Sequence, residues 1–372
     1  MPLSLVVVDR TCQYQFQYSE FLEVETANIA LAGWRGGGAE FSGDSGVVSS
    51  RDSAGRGAVW ALSREPGGGW SQYPFYSSTS GDWFGSGKAS SENTIVTSAP
   101  EDGGGKIYIM EKDAVDRSWS VESIVSPTSS SSGFGRMLSI SPCGCFIAVG
   151  SEEDNRSGSV WVYGKNSFGS WVQKQKLSPG GTRLLKFGHG VAINEDLLVV
   201  TAPQEYMNGV KGVVYFYTMS GDSFILSQKL SARTGTTNDS YYGPHVAILD
   251  EFVVVGEDTM KKAYAFQKVG GSYRLTAELT PSDLGTRSSF GIELQGEGNK
   301  VLVSDRFDTS CYLYVYEDDV WKERAKFDKS RPAMNADGNE VIVFEPTEFS
   351  TFYTNGVRKY GGNIDFYTLE CD

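Results

Sequence analysis

Residues 134–163, FGRMLSISPCGCFIAVGSEEDNRSGSVWVY, contain one nearly complete copy of the unit that determines the fold. The unit begins with an aromatic residue and a glycine, continues with a short apolar segment at residues 146–149, and ends with an alternating segment at residues 158–163. Since side chains alternate between the two faces of a strand, residues 158–163 place valines on one face and aromatic residues on the other. This pattern predicts a strand that packs against a neighbour on each face.

The same unit recurs along most of the chain. Copies of the alternating segment begin at residues 57, 105, 158, 212, 261, 311 and 362, at intervals of 48 to 54 residues. A further strand, marked by a large aromatic residue, follows the first six copies at Trp70, Trp119, Trp171, Phe224, Tyr273 and Trp321. Each unit therefore predicts a meander of four short strands without a helix. A lone meander cannot bury both of its faces, whereas a radial arrangement buries each face against a neighbour.

We therefore expect an all-β protein in which residues 1–372 form a single seven-bladed β-propeller of four-stranded blades. The blades are expected to start near residues 34, 83, 133, 186, 241, 289 and 333. Because the last alternating segment ends close to the C-terminus, the seventh blade lacks its outer strand. Residues 1–33 are expected to supply it through the segment around Tyr18, which closes the ring.

Five cysteines occur at positions 12, 143, 145, 311 and 371. Their odd number and irregular spacing argue against a disulfide framework. The predicted ring closure brings Cys12 and Cys371 to the same seam, so they are the only pair considered for a disulfide. The other cysteines, including Cys143 and Cys145 on either side of one glycine, are expected to be free thiols.

The repeat resembles the FG-GAP repeat of the N-terminal propeller of integrin α-subunits. The resemblance rests on residues 134–163 and 187–217, and on the Ala-Pro pairs at 99–100 and 202–203 that follow two apolar segments. In that family the loop between the second and third strands often binds calcium. The corresponding loops here lack acidic residues at alternate positions, which calcium loops use to supply six to eight oxygen ligands. The weak candidate ligands are Glu152, Asp154, Asp305 and Asp308, and a solvated acidic rim is the alternative.

The charge of the chain restricts its partners. The formal net charge is −13, and an acidic surface repels phosphate, so nucleic acid and anionic membranes are disfavoured as partners. No apolar run is long enough to insert into a membrane, and residues 1–10 lack the basic start of a signal peptide. An intracellular or particle-associated protein is expected in preference to a classically secreted one.

Few residues suggest catalysis. The chain has two histidines, His189 and His245, each close to the predicted start of an inner strand, and both could line a central channel. Paired there, they could hold a metal or act as acid and base. Neither a Gly-x-Ser-x-Gly motif nor a phosphate-binding loop is present, so an enzyme is not expected.

The most atypical segment is the predicted loop at residues 345–361, which carries aromatic and basic residues on an acidic protein. Long loops in compact domains often have a function. The candidate partner-binding residues in it are Phe349, Phe352, Tyr353, Arg358 and Lys359. We expect a non-enzymatic binding or scaffold propeller that recognises a protein or glycan. One such role would be that of a structural component of a particle or cell surface. A lectin with sites between blades is the alternative, and a hydrolase at the channel mouth is a third.

Overall fold

The structure is a computed structural model that describes residues 14–27, 38–51, 57–66, 69–77, 82–127, 133–180, 184–207, 210–231, 245–257, 261–283, 289–305, 310–327, 332–334, 340–345, 352–354 and 357–371. Within these ranges the regular secondary structure is β-strand, apart from a short 3₁₀ turn at Asp154–Arg156. No helix in them is long and apolar enough to cross a membrane.

The first strand, β1 (Tyr14–Ala27), pairs with the end of the chain. The strands that follow it form six consecutive four-stranded antiparallel sheets, in which sequence order is also the order from inside to outside. Blade 1 comprises β2 (Gly38–Ser42), β3 (Ser45–Arg51), β4 (Gly57–Arg64) and β5 (Trp70–Ser77), and blade 2 comprises β6 (Lys88–Ser90), β7 (Thr94–Ala99), β8 (Lys106–Lys112) and β9 (Trp119–Val125). Blade 3 comprises β10 (Met137–Ile140), β11 (Phe146–Ser151), β12 (Ser159–Lys165) and β13 (Trp171–Leu177).

The second half of the chain repeats this order. Blade 4 comprises β14 (Gly190–Ile193), β15 (Leu197–Met207), β16 (Val210–Ser220) and β17 (Ser223–Ser231). Blade 5 comprises β18 (Val246–Ile248), β19 (Phe252–Glu257), β20 (Lys262–Val269) and β21 (Ser272–Leu279). Blade 6 comprises β22 (Phe290–Glu297), β23 (Lys300–Asp305), β24 (Ser310–Glu317) and β25 (Val320–Phe327).

The last part of the chain forms a different sheet together with β1, which we call the terminal sheet. It contains β26 (Pro332–Met334), β27 (Glu340–Glu345), β28 (Phe352–Thr354) and β29 (Val357–Cys371). The strand order is β26-β27-β29-β1, and β28 also pairs with β29. Tyr18 of β1 lies opposite Tyr367 of β29. The inner strand β26 contacts β2 on one side and β22 on the other, which places the terminal sheet between blades 6 and 1.

The prediction of seven four-stranded blades is therefore wrong. The propeller has six blades of that form, and the sheet built from the two ends of the chain has five strands. The additional strand of this sheet comes from residues 345–361, which were predicted to be a loop. Part of it forms a hairpin in which Thr354 of β28 lies opposite Val357 of β29. The Asn-Gly pair between them is the dipeptide that most favours a two-residue hairpin turn.

The aromatic–glycine step fills the gaps between blades. Phe134 is fully buried, stands edge-on to Trp161 of its own blade at 5.9 Å, and shares a core cluster with Ile107 of blade 2. In blade 4, Gly188 has φ +89°, and a Cβ atom there would lie 2.6 Å from the carbonyl oxygen of Ser159 in blade 3. Glycine is required at this position by both the backbone conformation and the close approach of the neighbouring blade.

Glutamine side chains join the outer strands of blades 3, 4 and 5. Gln175 of β13 donates from Nε2 to the carbonyl oxygen of Phe224 in β17 at 3.0 Å, and its Oε1 accepts from the amide of Phe224 at 3.0 Å. Gln228 of β17 makes the same pair of bonds with Tyr273 of β21, both at 2.8 Å. Each glutamine thus satisfies both backbone groups of an aromatic residue on the next blade, where a strand edge would otherwise be unpaired.

The cysteines differ in part from the prediction. Cys143 and Cys145 form a disulfide, and their Cα atoms are 5.3 Å apart. The expectation of free thiols at these positions is wrong because Gly144, at φ +66°, reverses the chain between them. Cys311 is a buried thiol. Cys12 lies outside the described residues, so its pairing with Cys371 stays a prediction.

Candidate functional site

A central cavity of about 580 Å³ runs along the inner strands of the six blades. Ionisable side chains from several blades line it, among them Glu40, Lys88, Arg136, His245 and Glu293. Serine, alanine and larger aliphatic residues of the inner strands make up much of the remaining wall. The charged residues are therefore the features of this cavity that could distinguish one ligand from another.

Glu40 and Gln295 meet in the cavity from blades 1 and 6. The amide of Gln295 donates a hydrogen bond to the carboxylate of Glu40. Burial raises the pKa of Glu40 to about 7 and the charge of Glu293 adds to this, whereas Lys88 and the Gln295 bond oppose it. A carboxyl group with a raised pKa favours the folded state most below its ordinary pKa of 4.5, and this contribution is lost as the pH rises through about 7.

Glu40 and Gln295 occupy equivalent positions, which the sequence analysis missed. Glu40 lies opposite Val47, and Gln295 lies opposite Leu302, in the pairing of the two innermost strands. The same position in blades 2 to 5 holds a small residue: Ala89, Ser139, Ala192 and Ala247. Aligning the inner strands by their register would have shown this exchange of small residues for long polar ones.

A second group of charged residues lies at the rim of the propeller, where the loops after the second strands meet the turns before the inner strands. We call it the rim cluster, and it consists of Glu101, Arg136, Glu152, Glu153, Lys186 and His189. Arg136 Nη2 lies 3.3 Å from Glu101 Oε1, and its Nη1 lies 3.7 Å from Glu152 and 3.6 Å from Glu153. Since Arg136 also lines the cavity, the rim cluster lies at one end of the channel.

Glu152 is the buried centre of the rim cluster. Its Oε1 accepts from Lys186 Nζ at 3.2 Å, and its Oε2 contacts His189 Nδ1. Burial alone would raise the pKa of Glu152, but the hydrogen bond and charge of His189, together with Lys186, outweigh it and lower the pKa to about 2. Glu152 precedes the third strand of blade 3, whereas Lys186 and His189 precede blade 4. The cluster therefore holds two blades together through an ionised carboxylate.

Asp154 has a basic partner of its own. Its Oδ2 accepts from Ser159 Oγ at 2.5 Å and lies 2.7 Å from Lys176 Nζ. Lys176 also lies 4.2 Å from the centre of the Trp161 ring, which is buried. Glu152 and Asp154 thus neutralise basic side chains, an arrangement that does not suit a calcium site. Among the described residues, no group of three or more His, Cys, Asp or Glu could hold a metal ion.

The lysine–aromatic–acid arrangement of blade 3 recurs in two other blades. Lys229 lies over the Tyr215 ring and pairs with Glu205 in blade 4. In blade 6, Lys326 lies over the Tyr312 ring and pairs with Asp283. The rings of Tyr215 and Tyr312 are buried, so these repeated sets stabilise the blades and do not present aromatic faces for sugars. No sequence motif marks the three lysines, although each lies directly opposite its aromatic residue.

The other predicted site residues are separated in the structure. His245 lies along the cavity, but His189 is not among its lining residues and instead contacts Glu152. Asp305 is buried, and its Oδ1 accepts from the amide of Ser289 at 2.9 Å. Phe352 and Tyr353 lie in β28 opposite Lys359 and Arg358 of β29. Asp308 and Phe349 lie outside the described residues.

No model of a known protein family matches the chain, and no curated protein matches its sequence. Solved structures do resemble it in fold. The WD40 repeats of RRP9 superpose with a TM-score of 0.58 at 12% identity, over 93% of this chain and 100% of that one. The Cps50 (Swd1) β-propeller domain of Myceliophteria thermophila gives 0.57 at 10% identity, over 93% and 100%. A proposed 6-phosphogluconolactonase from Bacteroides uniformis gives 0.54 at 11% identity, over 77% and 84%.

At these identities the comparisons show the fold alone. The chain is an all-β propeller with four-stranded blades. None of the three similar structures concerns the FG-GAP repeat, so the resemblance to that family stays a prediction.

Proposed function

We propose that the chain is a non-enzymatic binding scaffold that recognises a protein partner through the rim cluster. The observation that carries this proposal is the position of Arg136, whose guanidinium joins the acidic loops of blades 2 and 3 at the mouth of the channel. Arg136, Glu101 and Glu153 are all more than 40% exposed. They form a charged surface on a frame of closely packed sheets, which suits recognition because little order has to be gained on binding.

The other charged groups near the rim support a binding role over a catalytic one. Within the described part of the chain, His189, Lys176 and Lys326 are each paired with an acidic side chain that fixes a blade. A general base needs to reach a substrate proton, and His189 is instead held against buried Glu152. We therefore assign to these groups the role of keeping the rim in shape.

The charge of the chain indicates the chemistry of the partner. A net charge of −13 favours a partner with a basic surface and speeds its approach at low ionic strength. The hairpin formed by β28 and β29 is a second proposed contact, through Phe352, Tyr353, Arg358 and Lys359.

Affinity capture with rim variants tests the proposal. The variant carries Glu101→Lys and Glu153→Lys, which reverse the charge beside Arg136, and the control carries Glu122→Lys on the exposed face of β9. Exposed ion pairs contribute little to stability, so all three proteins are expected to fold, which circular dichroism checks. The wild type and the control should recover the same partner from the source cells, and the rim variant should recover at least tenfold less.

Equal recovery by the rim variant would show that the partner binds elsewhere. Glycan binding on an array, with no protein captured in the same preparation, would favour a lectin. Turnover of a lactone or ester that is lost in a His245→Ala variant would contradict the non-enzymatic role.

A further inference from the structure

We propose that Cys143 and Cys145 form a redox-active thiol–disulfide site that exchanges two electrons with a small thiol or dithiol. This inference does not depend on the proposed function. Arg136 comes directly before β10, and the cysteines follow the same strand, so the site and the rim cluster lie at opposite ends of the channel. The disulfide occupies the turn between β10 and β11, and both cysteines are exposed.

Exposure and ring size make this disulfide accessible to exchange. A thiolate has to reach one sulfur atom, so an exposed disulfide reacts where a buried one does not. The bond closes a ring with a single residue between the cysteines, and closing so short a loop constrains the unfolded chain far less than closing a long one. The fold therefore does little to protect this bond from reduction.

The turn is held in place on both sides without the sulfur–sulfur bond. Ser141 Oγ accepts from the amides of Cys145 at 3.2 Å and Phe146 at 3.0 Å. The amide of Cys143 donates to Glu195 Oε1 of blade 4 at 2.9 Å. A Cβ atom at Gly144 would lie 3.0 Å from Ser91 Oγ of blade 2. Because blades 2 and 4 both contact the turn, the two sulfur atoms stay close after reduction and can be oxidised again by the disulfide form of the same small thiol.

Reduction of the disulfide by a dithiol takes place in two steps. The thiolate of a small dithiol attacks one cysteine sulfur, forms a mixed disulfide and releases the other cysteine, which takes up a proton. The second thiol of the reductant then displaces the remaining cysteine, which is also protonated. The protein disulfide gains two electrons and two protons, and the reductant becomes a disulfide. With glutathione, two molecules are consumed.

Glu195 gives the proposal a specific test. Its carboxylate accepts from the amide of Cys143 and so places a negative charge beside the point of attack by an anionic thiolate. Glu195→Gln retains the oxygen that accepts the hydrogen bond and removes the charge. At low ionic strength, reduction by glutathione should become about twofold faster in this variant. The matched control is Glu251→Gln, on an exposed turn of blade 5.

The experiment follows alkylation of intact, air-oxidised protein by mass spectrometry. Native protein is treated with glutathione buffers of increasing reducing strength, quenched with acid, and alkylated after unfolding. The peptide that contains Cys143 and Cys145 should gain two alkyl groups after millimolar glutathione and none before it. Treatment of the reduced protein with glutathione disulfide should re-form the bond, so that neither cysteine is alkylated. In a parallel sample that is alkylated without unfolding, buried Cys311 should remain unmodified, which shows that the fold is intact.

Two results would overturn the proposal. The first is alkylation of both cysteines in the oxidised protein without reductant, which would mean that the bond does not form. The second is resistance of the bond to millimolar glutathione in the folded protein. A Cys145→Ser variant separates access from pairing. When it is treated with glutathione disulfide, its Cys143 thiolate should form a mixed disulfide with one glutathione and release the other as the thiol, and failure to do so would show that the site is closed to thiols.

Discussion

Glu152 is a buried carboxylate that basic side chains from two blades keep ionised. His189 and Lys186 approach it from blade 4, and Arg136 approaches from the turn before β10. A charge removed from water needs compensating partners, and these three supply them. A single side chain thus ties the position of one blade to the next.

Replacing Glu152 with glutamine should destabilise the protein by roughly 1–3 kcal/mol at pH 7, because His189 and Lys186 lose the charge that they face. The pKa of Glu152 is lowered to about 2, so its contribution is complete above its ordinary pKa of 4.5 and is lost as the pH falls from there towards 2. Urea unfolding of the wild type and the Glu152→Gln variant should be measured at several pH values. The difference between their free energies of unfolding should become smaller as the pH falls.

The control for this comparison is Glu153→Gln, since Glu153 is 41% exposed and its ion pair with Arg136 is exposed as well. It should change the free energy of unfolding by less than about 0.5 kcal/mol. If the loss of unfolding free energy in Glu152→Gln were the same from pH 7 to pH 3, Glu152 would not act as an ionised carboxylate between the two blades.

At the scale of single residues, the sequence could indicate candidate residues but not the side chains that they contact. The sequence indicates a different role for each of two residues: Glu152 as a weak calcium ligand and His189 as a channel residue. Their contact joins positions 37 residues apart and depends on how blade 4 packs against blade 3. The same limitation applies to Glu40 and Gln295, which are 255 residues apart.

At the scale of strands, neighbouring blades contact each other through hydrogen bonds to backbone groups as well as through apolar cores. Gln175 and Gln228 each make a donor and an acceptor bond to the outer strand of the next blade. Both follow the aromatic residue of their own outer strand by four positions. Blades 5 and 6 have Ala277 and Ala325 at the corresponding position, so these glutamine hydrogen bonds occur in only part of the ring.

Gln175→Ala should lower the free energy of unfolding by about 1–3 kcal/mol, because it leaves both backbone groups of Phe224 without their side-chain partner. Thermal or urea unfolding measures this loss. Lys174→Ala, on an exposed position of the same strand, is the control and should change stability by less than about 0.5 kcal/mol. If the two variants are equally stable, the amide bonds between the blades contribute nothing measurable.

Strand positions were the most predictable part of the structure. The aromatic–glycine step and the alternating segment recur at short range, and each one specifies local geometry through sterics and burial. The hairpin of β28 and β29 was missed because its Asn-Gly signal lies in a segment interpreted as a loop. The disulfide of Cys143 and Cys145 was missed because it depends on the φ angle of Gly144, which no pattern of spacing shows.

At the scale of the whole molecule, the two ends of the chain form one sheet. β1 pairs along its length with β29, and the inner strand of this sheet contacts blades 1 and 6. The repeat spacing predicted that the N-terminal segment would be needed at the end of the chain, but it did not predict a fifth strand. A frame of this kind keeps the loops of different blades in fixed relation, which the proposed role of the rim cluster requires.

The most direct test of this closed frame is a cross-link between its two ends. Gln17 of β1 and Thr368 of β29 lie opposite each other, so cysteines placed at both positions, with Cys12 and Cys371 changed to serine, should form a disulfide on mild oxidation. Mass spectrometry of the digested protein should detect the linked peptides in nearly all molecules. A pair displaced in register, Gln17→Cys with Phe366→Cys, should link much less. Equal linking of the two pairs, or none in either, would contradict the pairing of β1 with β29.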